Sequence, residues 1–347
     1  MLAHVRTGEK MKTIQSNDGT TLAYDVYGRG PALIYITGAS CFRSFRPIVH
    51  DAKVFAKEFT VYTYDRRGRG HSTDTHPYAI AREVEDIEAM IDAAGGRASV
   101  YGHSSGAVLA LEAALRFGNN IANVVMYDPS YVHDEAEQAQ YNILSHQVHT
   151  LLHAGNNAKA IITFLRGIGM PNVFVYLVRF MPGWKTMVAL APTLAYDMAL
   201  TCDLPPVDRA AQVTVPVQVV VGEKSPAGIH DVARQLTNAM PSATPRSCAM
   251  ASRRSHTPRR DQRMKVCAAI HKGPSSAGTA RHFAPFSCRQ MIAATVRRRW
   301  RGGTLACRRQ PSISGSNAAQ RSSLSMARLR KPCSTPASSR GSDANGP

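Results

Sequence analysis

The chain has 347 residues, with 42 Lys and Arg against 24 Asp and Glu and a pI near 10.0, a balance that by itself points to a nucleic-acid or membrane-surface binder. The charge is unevenly placed: residues 1–244 hold 21 basic and 22 acidic side chains, net −1, while the last 103 residues hold 21 and 2, net +19. No apolar run reaches the roughly 20 residues of a membrane span, residues 1–10 lack the apolar stretch of a signal peptide, and none of the seven cysteines forms a CxxC knuckle, so export, a disulfide framework and a structural metal are not expected. The expectation is a cytoplasmic protein with no cofactor or metal, whose first 244 residues suffice for one domain of about 250 residues.

Residues 1–10 read as an extension before Met11, the expected original start. Residues 12–16 read as a strand, Asn17-Asp18-Gly19 as a turn, and 21–27 and 32–37 as two further strands. Phe45, Ile48, Val49, Ala52 and Phe55 recur at helical spacing, and the β-rich run 59–64 ends at Asp65. After the loop 66–78, Ile80, Val84, Ile87, Ile91 and Ala94 mark one face of a helix stopped by Gly95-Gly96, while Glu83, Glu85, Asp86 and Glu88 on the other face read as solvated surface. Residues 98–101 and 121–127 read as strands flanking a helix over 105–117, and a β-branched run over 215–221 precedes an amphipathic helix over 228–240.

Strands apolar on both faces and alternating with helices predict an α/β fold, a mostly parallel sheet flanked by helices. Between residues 129 and 204 the alternation lapses into helical patterns (Tyr141, Leu144, Val148, Leu151; Ile161, Phe164, Leu165) and the apolar stretch 174–184, as expected of a helical lid over a site at the strand ends, or of an ordinary helical insertion completing the core. The expected organisation is 1–10 extension, 11–128 first part of the core, 129–204 lid, 205–244 second part of the core, and 245–347 a basic tail of low order.

Gly102-His103-Ser104-Ser105-Gly106 falls between a strand and a helix. A serine on a sharp strand-to-helix turn is held in a strained backbone with its hydroxyl exposed, flanking glycines let the two elements approach, and the helix N-terminus offers free N–H groups to an oxyanion. His103 is expected to point away from that hydroxyl and pack. Arg66, Arg67 and Arg69 lie in a Gly-bearing loop, but no glycine-rich helix start follows, so a phosphate cradle is not expected.

With Ile36-Thr37-Gly38-Ala39-Ser40 after the third strand, Tyr64-Asp65-Arg66-Arg67-Gly68-Arg69-Gly70-His71-Ser72 after the fourth, and the Gly102–Gly106 turn, residues 11 to about 244 resemble α/β-hydrolases of the serine esterase and cofactor-free haloperoxidase-like branch. The resemblance implies that Ser104 is a nucleophile, that the backbone N–H groups of Ala39 and Ser105 form an oxyanion hole, and that the Asp-Arg-Arg-Gly loop is structural. Relatives that open epoxides or remove halide use aspartate at this position, so a serine implies an acyl-enzyme and an ester, thioester or lactone substrate, with perhydrolase activity open. The apolar lid suggests a small-molecule ester or acyl partner with an apolar group.

In such a family the acid follows the seventh strand as Gly-x-x-Asp, but here the stretch is Gly222-Glu223-Lys224-Ser225. Asp128, in Tyr127-Asp128-Pro129, ends the preceding strand and is the preferred acid, against Glu223 or Asp231; an aspartate before proline also suits a turn cap. His256 lies 31 residues beyond Ser225, close to the interval expected of the base, whereas His230 comes too early and His271 and His282 too late.

The last 103 residues hold five of the seven cysteines, sixteen serines and no tyrosine. Residues 245–260 show no β-rich stretch, which would leave the strand at 215–221 as an apolar sheet edge and the chain poorly soluble and weakly active. An alternative function is a catalytically impaired or non-catalytic protein whose basic tail binds nucleic acid, but its 18 arginines form no helical face or repeat. The composition instead predicts a change of reading frame near codon 244. Translating the other two frames downstream is expected to reveal a strand, a Gly-x-x-His loop and an amphipathic helix, and their absence from both frames would remove that reading.

Overall fold

The computed structural model describes residues 11–248; His256 and everything else expected beyond Cys248 or before Met11 lie outside the described residues. The first hairpin pairs β1 (Lys12–Gln15) with β2 (Thr21–Tyr27) about the turn, where the Thr20 N–H donates to Asp18 Oδ1 at 3.0 Å. Then follow β3 (Ala32–Ile36), α1 (Arg46–Phe55), β4 (Thr60–Tyr64), α2 (Ile80–Ala93), β5 (Ala98–His103), α3 (Ser105–Arg116) and β6 (Ile121–Tyr127). These elements follow the sequence expectation closely, because β3, β4 and β6 are short β-branched or aromatic runs, α1 and α2 each have one apolar face, and α3 is apolar and buried nearly all round.

With β7 (Val217–Gly222) and β8 (Ala243–Cys248), the described residues form an eight-stranded sheet in the order β1-β2-β4-β3-β5-β6-β7-β8. β1 and β2 are antiparallel to their neighbours and the rest is parallel. Both faces are covered. On β3, Ile34 and Ile36 join one core with Ile87 of α2, Leu109 of α3 and Leu236 of the later helix Ala227–Ala239, while Leu33 and Tyr35 face the other way onto Ile48, Ala52 and Phe55 of α1. This two-sided burial explains the nearly continuous apolar strands.

Between β6 and β7 (Val217–Gly222) lie α4 (Glu135–His153), α5 (Asn157–Gly167), α6 (Asn172–Leu177), α7 (Trp184–Ala189), α8 (Leu194–Thr201) and α9 (Val207–Ala210). Asp134 caps α4 by accepting from the Glu137 N–H at 2.8 Å. The insertion has its own apolar core of Val148, Ile161, Phe164, Leu194 and Met198, onto which Ala39, Trp184 and Met187 pack. α10 (Ala227–Ala239) then returns to the sheet.

Two sequence expectations are corrected. First, β8 (Ala243–Cys248) adds to β7 in parallel, pairing Val217 with Ala243 and Gly222 with Cys248. β7 is therefore not an open apolar edge, and the reason given for poor solubility falls away. The sequence Ala-Thr-Pro-Arg-Ser-Cys has little strand pattern of its own; the otherwise unpaired backbone groups of β7 supply the template. Second, Glu83 and Asp86 of α2 are not solvated but buried, at 1% exposure each. Three residues apart, they share a helix face turned toward the arginine loop.

Arg66, Arg67 and Arg69 are at most 1% exposed, the largest fully buried side chains of the described residues. Arg66 makes a two-pronged contact with Glu83 (both 2.7 Å), and Arg67 does the same with Asp86 (2.8 and 2.7 Å) while also reaching Asp18 at 2.8 Å. Asp197 of α8 takes Arg66 on one oxygen at 2.8 Å and Arg69 on the other at 2.7 Å. Stacking of Tyr78 on Tyr196, 3.9 Å between ring centres, fastens α8 to the same loop.

Burial opposes ionisation of Asp197, but the Arg69 and Arg66 charges outweigh it and hold the carboxyl below its ordinary value. A lowered carboxyl contributes stability above its unfolded value, and that contribution is lost as pH falls through the folded value. Asp197→Asn is expected to destabilise the protein by about 3–5 kcal/mol at neutral pH, because it strands buried cations, and the deficit should narrow as pH falls below about 4. Urea unfolding of both proteins across that range is the measurement; a deficit that grows on acidification contradicts the assignment.

Candidate active site

Ser104 sits between β5 and α3 with φ 57° and ψ −123°, the strained conformation expected of it. The flanking glycines are sterically required: a Cβ at Gly102 would overlap the Gly106 carbonyl oxygen, and one at Gly106 would lie 2.5 Å from the Ile36 oxygen. Among the described residues only Ser40, Ser104 and Asp128 combine a side chain with positive φ. They follow the ends of β3, β5 and β6, three adjacent parallel strands, at the edge where open α/β sheets bind ligands. Strain of this kind persists only where the surroundings over-determine it.

The Thr37-Gly38-Ala39 segment runs directly beside the turn, since a Cβ on Gly38 would lie 3.1 Å from Ser104 Cβ. Arg69 donates to the Gly38 carbonyl at 2.8 Å, and Arg66 to the Thr37 carbonyl and to Ser105 Oγ, both at 3.2 Å. Ser105 Oγ in turn donates to Asp197 at 2.7 Å. The buried ion network thus fixes the segments bearing the Ala39 and Ser105 amides, and the Ser105 N–H lies in the first turn of α3, where no intrahelical acceptor exists. His103 lies beside Tyr127, with 5.4 Å between ring centres.

Asp128 follows β6 with φ 46°. Its N–H donates to the Val220 carbonyl at 2.9 Å, and its Oδ1 accepts from the Gly222 N–H and from Ser225 Oγ, each at 3.0 Å. The carboxylate therefore reaches across to the end of β7 and hydrogen-bonds the serine occupying the position where the resemblance implied an aspartate. Of the other acids considered, Glu223 is exposed and Asp231 pairs with Arg234. His230 is half-buried near the start of α10, and His256 lies outside the described residues.

Sequence reasoning missed Ser130, whose Oγ is 3.0 Å from Ser104 Oγ and 3.2 Å from the Asp128 carbonyl oxygen; nothing in its spacing marks it. It also missed Asp197, for which there was a signal: it is the first acid after Glu137. At Cys41, beside the arginine network, desolvation pushes the thiol up to about 11. Among the described residues no group of three or more His, Cys, Asp or Glu is placed to hold a metal ion, and no helix is long and apolar enough to cross a membrane.

The sequence profile of the alpha/beta hydrolase family matches residues 19–270, a span that runs beyond residue 244 and includes His256. The chain belongs to the alpha/beta hydrolase family. It is 35% identical to an alpha/beta hydrolase from Sphaerobacter thermophilus, with a TM-score of 0.63, covering 75% of this chain and 100% of that one. A thermophilic esterase from Thermogutta terrifontis, 18% identical with a TM-score of 0.53, covers 76% of this chain and 97% of its own, and shares the fold. The proline iminopeptidase PfmaB of Pestalotiopsis fici is 26% identical over 132 residues, 34% of this chain and 44% of that protein. The chain spans less than half the length of the curated relatives it matches, PfmaB among them.

The strain at Ser104 has a measurable consequence. Ser104→Gly is expected to raise stability by about 1 kcal/mol, the relief of a positive-φ residue less the entropy glycine loses on folding. Ser104→Ala, which keeps a Cβ, should give no such gain. Thermal unfolding of the two variants side by side checks this, and equal midpoints would show that the backbone there is relaxed.

Proposed function

We propose that the chain is a serine hydrolase that cleaves a carboxylic ester or related acyl substrate through an acyl-enzyme on Ser104. The observation that carries this reading is the juxtaposition at adjacent strand ends of a strained serine on a strand-to-helix turn and a carboxylate anchored by Gly222 and Ser225. In this reading Ser104 Oγ attacks the acyl carbon as a histidine takes its proton, and the carbonyl oxygen becomes an oxyanion held by the Ala39 and Ser105 N–H groups. Collapse expels the alcohol, which receives the proton from the imidazolium. Water, deprotonated by the same histidine, then releases the acid and restores Ser104.

Asp128 is assigned as the acid. Both of its bonds at the β7 end fall on Oδ1, which leaves Oδ2 for an imidazole N–H. The substitution of a serine for the acid at position 225 supports this assignment, because Ser225 serves the migrated carboxylate as a donor where a second carboxylate would repel it. His256 is assigned as the base on its interval from Ser225 and its place within the family match. Residues 129–204 act as a lid, whose apolar core meets Ala39 and favours an apolar acyl or alcohol group.

A fluorophosphonate probe, which needs an activated serine, is the test. The full chain is expected to be labelled, Ser104→Ala to lose labelling entirely, and Asp128→Asn and His256→Ala to slow it by about a thousandfold or more. Labelling that survives Ser104→Ala would place the nucleophile elsewhere. Complete inertness of the unmodified chain would favour the non-catalytic alternative.

A further inference from the structure

The insertion carries a second surface that the proposed chemistry does not use. Among the described residues, seven of the eleven exposed large apolar side chains fall between Ile168 and Met181. Val173 and Phe180 are 71% and 72% exposed, and Tyr176 and Leu177 lie beside them; only Val175 and Val178 of this segment are buried. A helix that is apolar all round is ordinarily enclosed, so α6 and the turn after it present an apolar face that none of the described residues covers, and contiguous patches of this kind mark interaction surfaces.

The charge around this patch limits what can cover it. From Gln138 to Tyr196 the chain has no Asp or Glu at all, against Lys159, Arg166, Arg179 and Lys185. These four are exposed, and the Arg179 guanidinium lies over the Tyr176 ring at 5.6 Å. A second copy docking through the same patch would bring two acid-free, basic rims together, since an isologous contact pairs like with like. Bare phosphate backbone would answer the charge but not the apolar side chains. A surface that presents negative headgroups above an apolar layer answers both.

We propose that residues 168–181, with the basic rim of Arg166, Arg179 and Lys185, dock on an anionic lipid surface. Phe180, Val173 and Leu177 enter the acyl boundary while the cations meet the headgroups. The residues that follow the patch lead toward the candidate site: a Cβ added at Gly183 would lie 3.9 Å from the Phe45 ring, and Trp184 and Met187 share a core with Ala39. Docking would therefore bring the proposed site close to lipid-dissolved substrate. The surface itself does not depend on the catalytic reading, because it is tested by binding alone.

The test is partition of the full chain and of a Val173→Ser/Phe180→Ser variant onto phosphatidylglycerol vesicles, with unfolding midpoints confirming that both are folded. The basic segment after residue 244 is the same in both proteins, and in about 1 M salt, where the screening length is about 3 Å, its electrostatic contribution is suppressed. The unmodified chain is expected to stay bound there, and the variant to partition at least tenfold more weakly. Equal partition of the two proteins overturns the proposal, as does complete release of both in salt. A dimer seen by sedimentation in the absence of vesicles and dissolved by the double substitution would also overturn it, by giving the patch to a second copy.

Discussion

Everything around the candidate site hangs on a carboxylate with almost no solvent. Asp197, 1% exposed, holds Arg66 and Arg69 from the loop after β4 and the Ser105 hydroxyl from the start of α3. Each charge alone would be very costly to bury; together, with Glu83 as the further acid on Arg66, the two cations and two carboxylates neutralise one another. Such networks are poor evidence of net stability, but they admit few arrangements, because leaving any member unpaired is expensive. The result is that sheet, turn and helical insertion are locked in one relation, and the carbonyls of Thr37 and Gly38 are fixed by the same arginines.

That rigidity is what permits strain. Ser40, Ser104 and Asp128 all hold positive φ at three neighbouring strand ends, a conformation a relaxed loop would abandon. Close glycine contacts on one side and the buried ions on the other leave the chain no alternative path. The charge network and the strained backbone are thus two parts of one device, the first holding what the second needs, and the chemistry proposed for Ser104 draws on both.

The insertion divides in two by the same criterion. Its later part, through Leu194, Asp197 and Tyr196, is tied to the body by ions and stacked rings. Its middle, from Ile168 to Met181, is held by little more than Val175 and Val178 and faces outward with large apolar groups. One end is therefore bound into the geometry of the candidate site, and the other faces outward.

Strand and helix positions were legible in the sequence because they rest on local pattern: β3, β4 and β6 are β-branched or aromatic runs, and α2 keeps its apolar residues on one face. The turn at Ser104 was equally legible, since the spacing of Gly102 and Gly106 about the serine is a local pattern, although the contact that requires Gly106 comes from Ile36, far back in the chain. The fate of charge was not. Glu83 and Asp86 look like ordinary surface until Arg66 and Arg67, many residues earlier, turn inward to meet them. β8 has almost no pattern of its own and exists because β7 offers it hydrogen-bonding partners. By itself the sequence determined the succession of elements, the strained serine and the break in composition near residue 244. Only the tertiary structure decided which acids are buried, that the Asp128 carboxylate reaches Ser225, and where the sheet continues. Burial, ion pairing and strand addition depend on groups far apart in the chain, and a linear pattern carries no record of them.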